Sequence, residues 1–345
     1  MSETHWLRRR WKLIVNIVTV LALIGLVIAL HEQVIDVFKR IDEVKWWLLL
    51  LIIPLEILNY DAQANVYKKL FAIVGNKVSY RHMYRVALEL NFVNHVFPSG
   101  GVSGISYFGL RMKSKHVTGA KGTLVHLMKL VLLFMSFEIL VLFGVLLMAL
   151  DGSINGLVIL IAGSLTTTMV VGTFIFVYII GSAQRIDVFF TALTRMLNRA
   201  IHTVRPKHPE TINIARARGT VYDLHENYMM FQSKLSELRN PFVYSLVANV
   251  TELMVIYVVY LAFGEVVNLG AVILAYAIAN FAGFVSVLPG GVGVYEALMT
   301  GVLAIAGIPV ALSIPVVVMY RVLSTLVQLP PGYYLYHKAL TESKT

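Results

Sequence analysis

Nine ionisable side chains sit inside otherwise apolar runs of this 345-residue chain: Glu56, Asp61, Glu89, His126, Lys129, Glu138, Glu252, Glu296 and Arg321. A charge in hydrocarbon is costly unless it is paired, wetted or put to use, so each is a candidate for ion pairing, proton transfer or ligand binding. Two further stretches, NHVFPSGGVSG (94–104) and VLPGGVGVYEA (287–297), place a proline and paired glycines in the middle of hydrophobic runs. Proline ends an incoming helix and glycine permits a tight reversal. A helix resuming near Gly101 or Gly291 would present unpaired N–H groups and a positive dipole end, which attract phosphate or carboxylate. The candidate headgroup-binding set is therefore Pro98, Ser99, Gly100, Gly101 and Gly104 in the first stretch, with Pro289, Gly290, Gly291, Gly293 and Glu296 in the second and Arg321 beyond it.

Glu296 lies in the first turns after its glycines, placed either to cap its own helix or to hold a cationic amine. Arg321 is too deep in the last apolar run to snorkel, so it requires a carboxylate or a phosphate. Lys129 lies nearer one membrane face and is placed to snorkel to headgroups. Glu138 and Glu252 have no evident partner in sequence; structural pairing and proton coupling are both open to them. With Glu56, Asp61 and Glu89 these residues form a secondary set of intramembrane candidates. No catalytic residue is assigned. His82, His95 and His126 have no helix-spaced metal pairing among them, so neither metal nor cofactor is expected. The absence of cysteine rules out a cysteine nucleophile and thiolate ligation. A nucleotide P-loop is a poor alternative, because no Lys-Ser/Thr follows the glycines and no soluble strand precedes them.

The elements that must carry these residues are membrane helices. Hydrophobic residues make up 58% and charged residues 14% of the chain; the mean hydropathy is +0.74. Several apolar runs approach or exceed the roughly 20 residues that cross about 30 Å of hydrocarbon. Full spans are expected at about 12–30, 45–70, 121–150, 154–181, 241–263 and 309–336. Broken segments are expected around Pro98 and Pro289. The fold class is all-α and polytopic, with six full spans plus two broken or re-entrant hairpins, or eight spans if those cross. The net charge of +10 is not a nucleic-acid signature. With the N-terminus inside, Arg8, Arg9, Arg10, Lys12, Lys68, Lys69, Lys77, Arg81, Arg85, Arg111, Lys113, Lys115 and Lys121 all fall on the cytoplasmic side, as does the basic segment 184–240. That segment reads as a cytoplasmic helical insert, lying either on the inner interface or as a solvated hairpin, within a single membrane domain spanning 1–345. Both termini are expected inside. Counting turns, the first hairpin enters from the cytoplasmic side and the second from outside, which is the pattern of an inverted-topology repeat with a transport site near mid-depth.

NHVFPSGGVSGISYFGLR, LPGGVGVYEA and YRVLSTLVQLPPGYYLY together resemble the lysylphosphatidylglycerol synthase transmembrane-region family of flippase-like membrane proteins. The resemblance covers most of the chain. It implies movement of aminoacylated phosphatidylglycerol, or another anionic phospholipid or related glycolipid, between leaflets of a prokaryotic cytoplasmic membrane, supporting resistance to cationic peptides. It places Pro98, Gly100, Gly101, Gly104, Pro289, Gly290, Gly291, Gly293, Glu296 and Arg321 at the family's motif positions. Many relatives carry GGD and a following arginine where this chain has GGVSG, which alters the acidic surroundings of the lipid. The family label of phosphatidylglycerol lysyltransferase belongs to a separate soluble domain, for which segment 184–240 is too small. The alternative expectation is a membrane subunit or scaffold for a separate lipid-modifying enzyme.

Overall fold

The computed structural model describes residues 44–97, 102–113, 117–189, 191–192, 225–285 and 291–342. The expected first span at 12–30, the turn residues Pro98, Ser99, Gly100, Gly101, Pro289 and Gly290, and most of segment 184–240 lie outside these. The described chain is helical. After a short turn at Trp46–Leu49, the helices are α1 (Ile52–Ile73), α2 (Tyr80–Val96), α3 (Val102–Lys113), α4 (Gly119–Leu150), α5 (Gly156–Ile180), α6 (Arg239–Ala262), α7 (Leu269–Val285), α8 (Val294–Ile305) and α9 (Val310–Glu342). Five stretches are long and apolar enough to cross a membrane: Trp46–Ile73, Lys121–Leu150, Gly156–Ile180, Leu235–Ala262 and Val310–Thr341. They coincide with five of the six full spans expected from sequence.

The helices fall into two runs of matching length. Helices α1 to α4 have 22, 17, 12 and 32 residues, and α6 to α9 have 24, 17, 12 and 33. Helix α5 lies between the runs and packs against α4 and α8. The packing matches as well: α1 lies on α6, α4 packs on α7 as α2 packs on α9, and α4 touches α6 as α9 touches α1. Each opening helix ends on the same local device. Gly75 (φ 79°) and Gly264 (φ 80°) adopt the left-handed conformation that stops a helix. The following residues bond back five positions, Asn76 N–H to Phe71 O at 2.9 Å and Glu265 N–H to Tyr260 O at 3.1 Å.

Contacts between loops fix which ends lie together. Lys45 N–H reaches Ala262 O at 2.8 Å, so the start of the first opening helix meets the end of the second and the two run antiparallel. At that same end Asn268 Nδ2 donates to Asp151 Oδ2 (2.8 Å) and Asn155 Nδ2 donates to Ile305 O (2.8 Å). The chain therefore enters α7 and leaves α8 at one end of the bundle. At the opposite end Lys121 Nζ donates to Val74 O (3.3 Å), bringing the entry to α2 and the exit from α3 together. Helices α3 and α8, at 12 residues each, are about 18 Å long at 1.5 Å per residue, well short of about 30 Å of hydrocarbon. Both broken pairs are thus re-entrant, returning to the end from which they came. Thr118 and Asn155 cap the long helices that follow, accepting from Lys121 N–H and Val158 N–H.

Candidate functional site

Between the two runs lies a cavity of about 310 Å³, lined by α1, α2, α4, α6, α7, α8 and α9 with the Gly291 end of the second hairpin. Its walls are unlike a membrane bundle's core: amide, hydroxyl and charged groups alternate with Leu133, Phe137 and Tyr276. A shift of 189 positions, the separation of the contacting residues Asn59 and Ala248, lays Ile73 on Ala262 and Tyr80 on Leu269. Under that shift lining residues pair with lining residues: Asn59 with Ala248, Tyr60 with Asn249, Gln63 with Glu252 and Asn91 with Asn280. Lys129 and Arg321 correspond at a shift of 192, the one that lays Val102–Lys113 on Val294–Ile305.

A continuous hydrogen-bonded path crosses the cavity from one run to the other. Lys129 Nζ donates to Gln63 Oε1 at 2.9 Å, and Gln63 Nε2 donates to Asn59 Oδ1 at 2.7 Å. Asn59 Nδ2 donates to Ala248 O at 2.7 Å and reaches Glu252 Oε2 at 3.4 Å. Tyr320 Oη closes the path by donating to Glu252 Oε1 at 2.6 Å. Asn59 and Gln63 lie one turn apart on the same face of α1, which is what lets them act as successive links. Lys129 also sits 4.7 Å over the ring of Tyr67, and the Tyr67 hydroxyl lies 2.9 Å from His126 Nδ1.

Arg321 stands across from Lys129. Its Nε is 3.5 Å from Glu296 Oε1, and its guanidinium lies 4.5 Å over the ring of Tyr295. The other oxygen of Glu296 accepts the Gly293 N–H at 2.7 Å. One carboxylate thus caps its own half-helix and faces the deepest arginine. Of the two roles open to Glu296 in sequence, the cap is the one seen. On the cavity wall Asn91 Nδ2 donates to Gln328 Oε1 at 2.6 Å, and behind it Gln328 Nε2 donates to both oxygens of Glu56 at 2.8 Å.

The structure therefore gathers Lys129, Glu252, Gly291 and Arg321 on the cavity wall, with Gly293 and Glu296 beside Arg321 and Glu56 reached through Gln328. Lys129, placed by sequence to snorkel, instead turns its Nζ inward to Gln63. Glu252, without a partner in sequence, has Tyr320 and Asn59. Other candidates lie apart from the cavity. Glu89 is 1% exposed and binds Arg111 through Nε at 2.7 Å and Nη2 at 3.0 Å, with the Tyr107 hydroxyl at 2.9 Å, fastening α3 to α2. Asp61 accepts from Tyr80 Oη at 2.5 Å and from Asn65. Glu138 lies on α4 off the cavity wall, with its Oε1 buried and without a hydrogen-bond donor among the described residues. Gly104 faces the Asn94 amide, where a Cβ would collide, so it serves the α2–α3 approach.

Sequence reasoning weighed formal charge and so passed over the neutral half of the site: Asn59, Gln63, Asn91, Asn249, Asn280, Tyr320 and Gln328. A usable signal was present, since Asn91-Phe92 and Asn280-Phe281 repeat at the same distance as the stopping glycines Gly75 and Gly264.

The sequence also matches known membrane proteins. A 97-residue stretch is 33% identical to a UPF0104 membrane protein of Methanothermobacter thermautotrophicus, a likeness covering 28% of this chain and 29% of that protein. Residues 13–332 match the family described as the lysylphosphatidylglycerol synthase TM region, which takes in every helix that lines the cavity. The chain belongs to that family of multi-helix membrane proteins.

Proposed function

We propose that the chain translocates an anionic or aminoacylated phospholipid across the cytoplasmic membrane of a prokaryote. The observation that carries this reading is the cavity that lies between two runs of matched helices and places corresponding polar residues of each on its wall. An inverted repeat with its binding site at the interface is a construction for alternating access, because exchanging the conformations of the two halves exchanges the side to which the site opens. The antiparallel opening helices and the re-entrant hairpins that return to opposite ends support this inversion. Arginine and lysine on facing walls suit a headgroup phosphate. Carboxylates near Arg321, from Glu296 and Glu252, suit an added amine, as in lysyl-phosphatidylglycerol.

In this reading membrane phospholipids are the partners, the basic loops face the cytoplasm with both termini, and segment 184–240 is a cytoplasmic insert. The test is reconstitution of the purified chain into vesicles with fluorescent phosphatidylglycerol, phosphatidylethanolamine and aminoacylated phosphatidylglycerol, read by a leaflet-specific quencher. Accelerated exchange without tRNA or nucleotide is expected, and Arg321→Gln should reduce it at least tenfold while leaving an inserted, folded protein. No exchange across this panel, with and without ion gradients, would overturn the proposal in favour of a scaffold for a separate lipid-modifying enzyme.

A further inference from the structure

The two cations of the cavity correspond in position but not in pairing. Arg321 faces the Glu296 carboxylate at 3.5 Å, and the residue corresponding to Gln63 on its side of the cavity is Glu252, itself an acid. Lys129 is met instead by the neutral amide oxygen of Gln63 at 2.9 Å and by the Tyr67 ring. Among the described residues no carboxylate oxygen lies within ion-pair distance of its Nζ. An ammonium inside a helical bundle is retained where it meets a counter-charge or a ligand that supplies one. Gln63 also donates one N–H to Asn59, so the amide oxygen is held toward Lys129 and the ammonium's remaining donors are left for the cavity.

We infer that Lys129 is an anion anchor of the cavity, the counterpart of Arg321 in the other half, and that it engages the phosphodiester of a lipid headgroup through charge-assisted hydrogen bonds. This rests on the translocator reading for the ligand's source, but the charge argument stands on the geometry alone. The difference in pairing makes Lys129 the stronger first contact. The charge of Arg321 is already partly balanced by Glu296 at its Nε, whereas Lys129 exchanges only an amide oxygen. A phosphate held first at Lys129 and then at Arg321 would move from one half of the repeat to the other, along the face bridged by Gln63 and Asn59.

The experiment measures binding separately from movement. The detergent-purified full chain is titrated with dihexanoyl phosphatidylglycerol, dihexanoyl phosphatidylcholine and inorganic phosphate, and ligand-induced stabilisation is read as a shift in thermal unfolding. Wild type should be stabilised by dihexanoyl phosphatidylglycerol. Lys129→Gln and Lys129→Met should each weaken that affinity at least tenfold, and Lys129→Arg should keep it within about threefold. Competition by inorganic phosphate at matching concentration would assign the site to free phosphate instead of a lipid and overturn the lipid part of the inference. Unchanged affinity in both neutral variants, or no stabilisation of wild type by any probe, overturns it entirely. Lys129-dependent binding without leaflet exchange in vesicles would fail the translocator reading while sustaining the anchor; exchange and binding both indifferent to Lys129 would do the reverse.

Discussion

Glu296 performs two tasks with its two oxygens, and the tasks can be separated by substitution. Its Oε2 accepts the Gly293 N–H at 2.7 Å while Oε1 faces Arg321 at 3.5 Å. Glu296→Gln keeps an acceptor for the cap and removes the charge, whereas Glu296→Ala removes both. Loss of a helix cap costs about 1 kcal/mol, and loss of the counter-charge leaves a buried guanidinium less compensated. Thermal unfolding in detergent should therefore rank wild type above Glu296→Gln and Glu296→Ala lowest, with the last step worth about 1 kcal/mol. Equal midpoints for the two variants would mean that the Gly293 bond contributes nothing. The same logic explains why charge alone was an incomplete guide to the site. Glu252 lacked a counter-ion in sequence because its partners are a phenol and an amide, Tyr320 and Asn59, and these residue types are too common in helices to stand out singly.

At the scale of elements, close helix crossings do the work that hydrophobic driving force cannot do in lipid, where small residues let backbones approach. Helix α9 crosses α2 at Gly332, where an added Cβ would lie 2.7 Å from Leu88 O and 2.8 Å from Phe92 Cβ. The corresponding crossing of α4 on α7 is closed by Gly144 and Gly270, which press on each other's carbonyl oxygens. Gly332→Ala should push α9 off α2 and cost about 1–3 kcal/mol, the range for overpacking a well-fitted contact, seen as a lower unfolding midpoint. Gly163→Ala on α5, where the added Cβ meets nothing within 4 Å, should be neutral or slightly stabilising. A Gly332→Ala variant as stable as wild type would show that the crossing gives way freely. These elements were legible in sequence to different degrees. The long spans followed from apolar length, and the two hairpins from proline and paired glycines amid apolar residues. The depth of the hairpins did not, because it depends on α3 and α8 stopping after 12 residues, and their ends are set by loop contacts such as Lys121 to Val74. The hydrogen-bonded path from Lys129 to Tyr320 was hidden for a related reason: its links come from four helices, and no local window holds more than two of them.

For the whole molecule the decisive question is the direction of the second run relative to the first. The six-residue connections 74–79 and 263–268 correspond, each containing a left-handed glycine and each leading into a 17-residue helix. Lys77 and Glu265 are exposed within them. Three long helices, α4, α5 and α6, separate the two connections, and the re-entrant pair α2–α3 adds no crossing. Even if that pair crossed fully it would add two, so the parity is odd either way. The proposed orientation takes its sign from charge: Lys68, Lys69, Lys77, Arg81 and Arg85 cluster around the first connection, which the positive-inside rule would place in the cytoplasm. The chain contains no cysteine, so single substitutions report without background. Lys77→Cys should react with a membrane-impermeant maleimide only after the cells are opened, and Glu265→Cys should react in intact cells. Thr118→Cys and Pro309→Cys, exposed at the exits of the two hairpins, should divide in the same way. Labelling of Lys77→Cys and Glu265→Cys from one side would make the two runs parallel, and a cavity between parallel halves could not exchange its opening between leaflets by exchanging their conformations.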